Sequence, residues 1–149
     1  MQLKQLVLFL LLVSCGFTLV EDRASVSFTF NETNYRDDIN KKHLYKLITK
    51  SQDSSAAMYI CDITDIKITN SRIATNSSGE DASYKFEVSI FYQLTNTENQ
   101  LIDASSYSFV EIYQIDNSLY SDEVKNNELL LLVPEKFINY LKQKLLILS

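Results

Sequence analysis

Residues 66–94 read IKITNSRIATNSSGEDASYKFEVSIFYQL, and the fold turns on this stretch. From Tyr84 onward apolar and polar side chains alternate: Tyr84, Phe86, Val88, Ile90, Tyr92 and Leu94 fall on one side of an extended chain. Lys85, Glu87, Ser89 and Gln93 fall on the other, and Phe91 alone is out of class. A period of two marks a strand with one face in a core and the other in water. Ile66 and Ile68 belong to a preceding strand, and the polar run 71–79 predicts a hairpin turn between the two. A sheet with one wet side needs cover on the other, and the flanking sequence must supply it.

Upstream, Ala24, Val26, Phe28 and Phe30 alternate with Ser25, Ser27, Thr29 and Asn31, which predicts a first strand. Ile39, His43 or Leu44, Leu47 and Ile48 recur at helical spacing. Residues 31–34 offer caps for that helix, Asp37 and Asp38 suit its first turn, and Lys46 and Lys50 suit its end. Residues 57–69 return as a strand whose phase shifts at 62–65, which predicts a bulge. Beyond the hairpin and a turn at 96–100, residues 101–115 make a long strand with two indistinct faces. Tyr107, Phe109, Tyr113 and Ile115 lie on one, Ala104, Val110 and Ile112 on the other. A bulge near Ser105 and Ser106, or cover on both sides, would account for that. Residues 118–149 read as helix, capped by Ser121 or Asp122, with an apolar run at 129–133. Phe137, Ile138, Leu141, Leu145 and Leu148 form a second stripe, and Pro134 between them predicts a kink or two abutting helices. The order β-α-β-β-β-α predicts an α+β fold, with two helices packed on one face of a four-stranded, mainly antiparallel sheet.

The 149 residues, 46% hydrophobic, suffice for one core. A formal net charge of -5 argues against a nucleic-acid partner, because phosphate recognition needs a basic face. The acidic residues stand at no metal-ligand spacing, and no glycine-rich phosphate loop occurs. His43, the sole histidine, follows Lys41 and Lys42 in a predicted helix, and no nucleophile has a histidine partner at recognisable spacing. The expectation is no catalytic residue, no metal and no cofactor. Cys61 alternates with Tyr59 and Ile63, so its thiol is expected to be buried. Asn31-Glu32-Thr33 and Asn76-Ser77-Ser78 match glycosylation sequons, read as accidental in a chain rich in Asn and Ser.

At the start, Lys4 and the apolar run 6–13 read as an export signal, too short to cross a bilayer. Leu12-Val13-Ser14-Cys15 resembles the lipobox of bacterial lipoproteins, in which residues 1–14 would be removed and Cys15 acylated. An ordinary signal cleaved after Gly16 is the alternative. On the lipobox reading, residues 15–149 form a single domain, anchored permanently at about 0.8 kcal/mol per buried methylene. Gly16 stands where inner-membrane lipoproteins often carry Asp, so the resemblance implies the outer membrane, facing the periplasm.

Cys15-Gly16-Phe17, Arg72-Ile73-Ala74-Thr75-Asn76-Ser77-Ser78-Gly79 and Tyr84-Lys85-Phe86-Glu87-Val88 carry a wider likeness, as do Tyr92-Gln93-Leu94, Tyr113 and Asn117-Ser118-Leu119-Tyr120. Together they resemble the LPS-assembly lipoprotein family of Gram-negative outer membranes. That resemblance implies a non-enzymatic plug inside a large outer-membrane β-barrel, which helps the barrel assemble and assists lipopolysaccharide delivery to the cell surface. It implies two helices on a four-stranded sheet, with Arg72 and Lys125 as lipopolysaccharide contacts. Arg72, Ala74, Thr75, Asn76 and Gly79 would form a hairpin tip that projects into the barrel. Relatives usually carry a continuous, Ala-rich last helix, whereas this chain has an apolar run before Pro134, a further candidate contact with the barrel wall. The alternative is a generic periplasm-facing lipoprotein acting as a small-ligand binder or envelope scaffold, and a secreted enzyme is a third reading.

Overall fold

Main-chain pairing of the alternating stretches builds a four-stranded sheet in the order β1-β2-β3-β4. The computed structural model describes residues 27–31, 38–50, 57–75, 82–115 and 122–148. These form β1 (Phe28–Phe30), α1 (Ile39–Lys50), β2 (Tyr59–Thr75), β3 (Ala82–Asn96), β4 (Leu101–Ile115) and α2 (Asp122–Leu148). β3 is antiparallel to both its neighbours, while β1 runs parallel to β2. A parallel pair needs a crossover, and α1 provides it. The fold is therefore the α+β arrangement expected, with a mostly antiparallel sheet. The expected portion of the first strand at 24–26 lies outside the described residues.

Strand alternation puts Cys61, Ile63 and Ile66 of β2 beside Phe86, Val88, Ile90, Tyr92 and Leu94 of β3 on the covered face, all buried. Leu44 and Ile48 of α1 close over them together with Leu130, Val133, Phe137, Leu141 and Leu145 of α2. Each such side chain contributes about 1.5–3 kcal/mol by leaving water, so this single cluster dominates stability. Phe91, out of class in the alternation, lies half-buried on the open face, with the Lys67 ammonium 5.0 Å from its ring centre. The expected bulge appears between Ile63 and Asp65. There Asp65 Oδ1 accepts the Ile66 amide at 2.8 Å and pairs with Lys41 of α1 at 3.3 Å, so the irregularity also fastens α1 to the sheet. In the turn after β3, Asn96 Oδ1 accepts the amides of Glu98 at 3.0 Å and Gln100 at 2.9 Å. Asn99 takes the left-handed conformation with φ 60°, which Asn tolerates better than most residues.

Several expectations are corrected. The cap of α1 is Asp38 rather than a residue of 31–34: its carboxylate accepts the amides of Asn40 at 3.0 Å and Lys41 at 3.1 Å. Ile39 is no part of the buried stripe, being 86% exposed. At 3.6 residues per turn it lies roughly 180° round the helix from Ile48. β2 runs on to Thr75 through residues read as turn, because Ser71, Arg72, Ala74 and Thr75 pair with Lys85, Tyr84, Ser83 and Ala82. Main-chain pairing does not require apolar side chains. β4 has no bulge at Ser105 and Ser106; its shift lies between Leu94 and Thr95 of β3, and its outer apolar residues are simply exposed. Finally, of the two outcomes expected at Pro134, abutting helices do not occur: α2 is one helix of 27 residues with Pro134 inside it. Proline there removes one hydrogen bond at about 3 kcal/mol. Leu130, Val133, Phe137, Leu141 and Leu145 form one buried stripe across it, and burying them together more than offsets that cost.

Candidate functional site

Along the covered face of β2 the side chains change character in one direction. Ile63, Ile66 and Ile68 are followed by Asn70 and Arg72, and the core ends where they begin. Across the sheet at the same level stand Tyr84 of β3 and Tyr113 of β4, with ring centres 5.6 Å apart and planes 15° from parallel. The first turns of α2 descend onto this level. Asn70 Nδ2 donates to Tyr113 OH at 3.0 Å and to Asn126 Oδ1 at 3.1 Å, and Tyr113 OH donates to Asn126 Oδ1 at 3.0 Å. Two amides and a phenol thus tie β2, β4 and α2 into one polar end.

That tie brings the two predicted contacts to the same end of the domain. Arg72 is exposed two residues beyond Asn70, and Lys125 is half-buried one residue before Asn126. Lys125 pairs with Glu128 at 3.2 Å, the two side chains 38% and 47% exposed, so the pair contributes only about 0–1 kcal/mol and an incoming anion could replace Glu128 at little cost. Of the other predicted tip residues, Ala74 is exposed in β2 and Thr75 is that strand's last residue. Asn76, Gly79 and the lipidation candidate Cys15 lie outside the described residues.

A second cluster, missed in the sequence, sits at the opposite end of α2. Lys144 Nζ lies 2.5 Å from Asp103 Oδ2 of β4 and donates to Tyr92 OH at 3.0 Å. Tyr92 OH in turn donates to Tyr140 OH at 3.1 Å. The signal was faint: Tyr140 and Lys144 are one helical turn apart, and Asp103 falls on the covered face of β4. Desolvation lowers the Lys144 pKa, but Asp103, Tyr92 and Tyr140 outweigh it, so the ammonium form is held beyond the usual lysine range. Burial likewise pushes the Tyr92 phenol up. Burial, reinforced by Asp62, pushes the Cys61 thiol up as well.

Between α1 and α2 lies an open groove of about 400 Å³ lined by Leu47, Leu131, Pro134, Ile138, Glu135 and Lys142, among others. Leu131 is 60% exposed at its edge, whereas Leu129, Leu130 and Val133 of the same apolar run are buried. Only part of that run therefore reaches solvent. Among the described residues no group of three or more His, Cys, Asp or Glu side chains could hold a metal ion. No helix among them is long and apolar enough to cross a membrane.

No protein-family model matches the chain, and no curated protein does. Solved structures do. A minor lipoprotein from Acinetobacter baumannii superposes with a TM-score of 0.54 at 9% identity, covering 83% of this chain and 94% of that one. A protein from Caulobacter crescentus CB15 described as a lipoprotein gives 0.50 at 9% identity, covering 83% and 88%. The fold is one that solved bacterial lipoproteins share. Rare lipoprotein B from Shewanella oneidensis matches at 15% identity over 76% and 85% of the two chains, with a TM-score of 0.41 that is too loose to carry an inference.

Proposed function

We propose that this chain is a non-enzymatic outer-membrane lipoprotein, anchored through acylated Cys15 and facing the periplasm, that plugs and helps assemble a lipopolysaccharide-export β-barrel. Its polar end would meet the lipopolysaccharide in transit. The observation that supports this reading is the bonding of Asn70, two residues before Arg72, to Asn126, the neighbour of Lys125, which sets both cations at the end of the domain that holds the stacked Tyr84 and Tyr113. Guanidinium and ammonium groups suit phosphates, and the tied tyrosines and amides give them a fixed platform. The lipobox-like run before Cys15, and a fold common to solved lipoproteins, support the anchored form.

The test has two arms. Palmitate labelling of cells should mark the wild type and not Cys15→Ser, and gentle detergent extraction should recover the chain with an outer-membrane barrel of the lipopolysaccharide transport system. Arg72→Glu should weaken lipopolysaccharide binding at least about tenfold, since a hydrogen bond to a charged group is worth about 1.5–3 kcal/mol. Unchanged affinity in a folded variant removes Arg72 from the site. Absence of the barrel from the extracts favours the second reading, a lipoprotein that binds a small ligand, for which the open groove between α1 and α2, lined by both apolar and charged side chains, is the natural seat.

A further inference from the structure

The sheet ends in β4, whose outer edge meets no strand among the described residues. We propose that this edge pairs with the same edge of a second copy of the chain, antiparallel about Ser108, so that two four-stranded sheets become one continuous sheet. The inference goes beyond the lipoprotein reading and does not depend on it.

An open edge invites pairing, and proteins blunt it with bulges, charges or proline. The opposite side of the sheet is blunted in this way. Beyond Cys61, where pairing with β1 ends, β2 carries two register shifts and the charged residues Asp62, Asp65, Lys67 and Arg72. β4 has no such protection. Its register against β3 is unbroken from Asp103 to Ile115, and its only charged residues are Asp103, already paired with Lys144, and Glu111. Val110 and Ile112 stand 45% and 62% exposed on its outer face, and Tyr107 and Phe109 are only half-buried on its helix side.

A second copy fits because the strand complements itself. Ser108 is the midpoint of β4. Pairing about it sets Val110 opposite Ser106, Ile112 opposite Ala104 and Tyr107 opposite Phe109, so large side chains meet small ones and the two aromatics meet each other. Asp103 then faces Tyr113, and Glu111 faces Ser105. Centring one residue earlier would set Asp103 against Glu111, a like-charge pair that opposes that register. Overlap of residues 103–113 supplies about ten main-chain hydrogen bonds, the number a specific interface carries.

Sedimentation of the full chain in density-matched mild detergent tests this. The wild type should shift to twice the single-chain mass as concentration rises. The Ser106→Lys/Ser108→Lys variant should remain at the single-chain mass, with an unchanged circular dichroism spectrum. Thr69→Lys/Ser71→Lys, on the same face of β2, should keep the doubled mass. Independently of any variant, the wild-type β4 amides directed away from β3 should exchange at least about tenfold more slowly at the higher concentration. A wild type that stays at the single-chain mass throughout its soluble range overturns the proposal. So does a doubled mass that survives the β4 lysines or is lost in the β2 control, and so does unchanged exchange in β4.

Discussion

Replacing Phe137 by Ala should remove the largest single contribution to the stability of this domain. The side chain is fully buried, and its ring centre lies 6.4 Å from Phe30 of β1, 5.7 Å from Tyr92 of β3 and 5.5 Å from Tyr107 of β4. One residue of α2 therefore touches three strands. Truncation of a buried Phe costs about 3–5 kcal/mol. The three aromatic pairs, favourable beyond burial alone, place this site near the top of that range, at about 4–5 kcal/mol. Against a total stability of about 5–15 kcal/mol, that loss is a third or more for most of the range. Urea unfolding followed by circular dichroism measures it: with a slope near 2 kcal/mol per molar, the midpoint should fall by about 2 M. Phe137→Leu keeps most of the volume but none of the ring contacts, so it should fall between wild type and Phe137→Ala. Ile147, 84% exposed on the same helix, is the control, and Ile147→Ala should change stability by less than about 0.5 kcal/mol. A Phe137→Ala midpoint within about 0.5 M of the control would refute the placement of α2 on the sheet.

Lys144→Met keeps the aliphatic stem but strands the Asp103 carboxylate, whose side chain is 22% exposed; the expected loss, by thermal unfolding at neutral pH, is about 1–2 kcal/mol. The raised Lys144 and Tyr92 values have a further consequence: above about pH 10 the unfolded chain gives up protons that the folded chain retains, so stability falls with rising pH there. That alkaline decline should be shallower in Lys144→Met. Asp38→Ala removes the α1 cap, at about 1 kcal/mol in the same assay, and Asp38→Asn should recover most of it. The Cys61 thiol should resist a thiol reagent at pH 8 in the folded chain and react on addition of denaturant, and rapid modification of the native protein would contradict its burial.

The parts of the fold visible in the sequence are those in which burial follows a simple period. β3 is the clearest, since every residue from Phe86 to Leu94 on its covered face is buried, and Phe91 is the exception in both readings. The bulge at Ile63 and Asp65 was equally visible, because a phase slip between two apolar sets leaves one residue over. What stayed hidden depended on long-range partners. The parallel pairing of Phe28 with Tyr59 rests on three residue pairs and a crossover, neither of which has a period. Pro134 reads locally as a helix breaker, and only burial along the whole of α2 makes it tolerable. Asp103 and Lys144 lie 41 positions apart, and nothing local marks them as a pair.

The residues proposed as lipopolysaccharide contacts were suggested by identity, and nothing in the sequence showed how they would be grouped. A resemblance singled out Arg72 and Lys125, 53 positions apart, but gave no physical reason why they should lie at the same end of the domain. That reason is the triangle of Asn70, Tyr113 and Asn126, which docks the start of α2 against the far end of the hairpin. It sits beyond the last buried aliphatic residue of β2, Ile66, and the half-buried Ile68, so the packed core and the proposed contact surface occupy different parts of one sheet. The separation has a mechanical consequence. Charge changes at Arg72 act on a surface that carries little of the folding energy, whereas Phe137 and Lys144 act on the packing that holds the surface in place. Asn126→Ala should therefore separate the two: it leaves Arg72 and Lys125 intact but releases their common platform. Lipopolysaccharide binding should then weaken while the urea midpoint falls by less than about 1 M, and binding that survives in a folded Asn126→Ala variant would show that the two cations act singly.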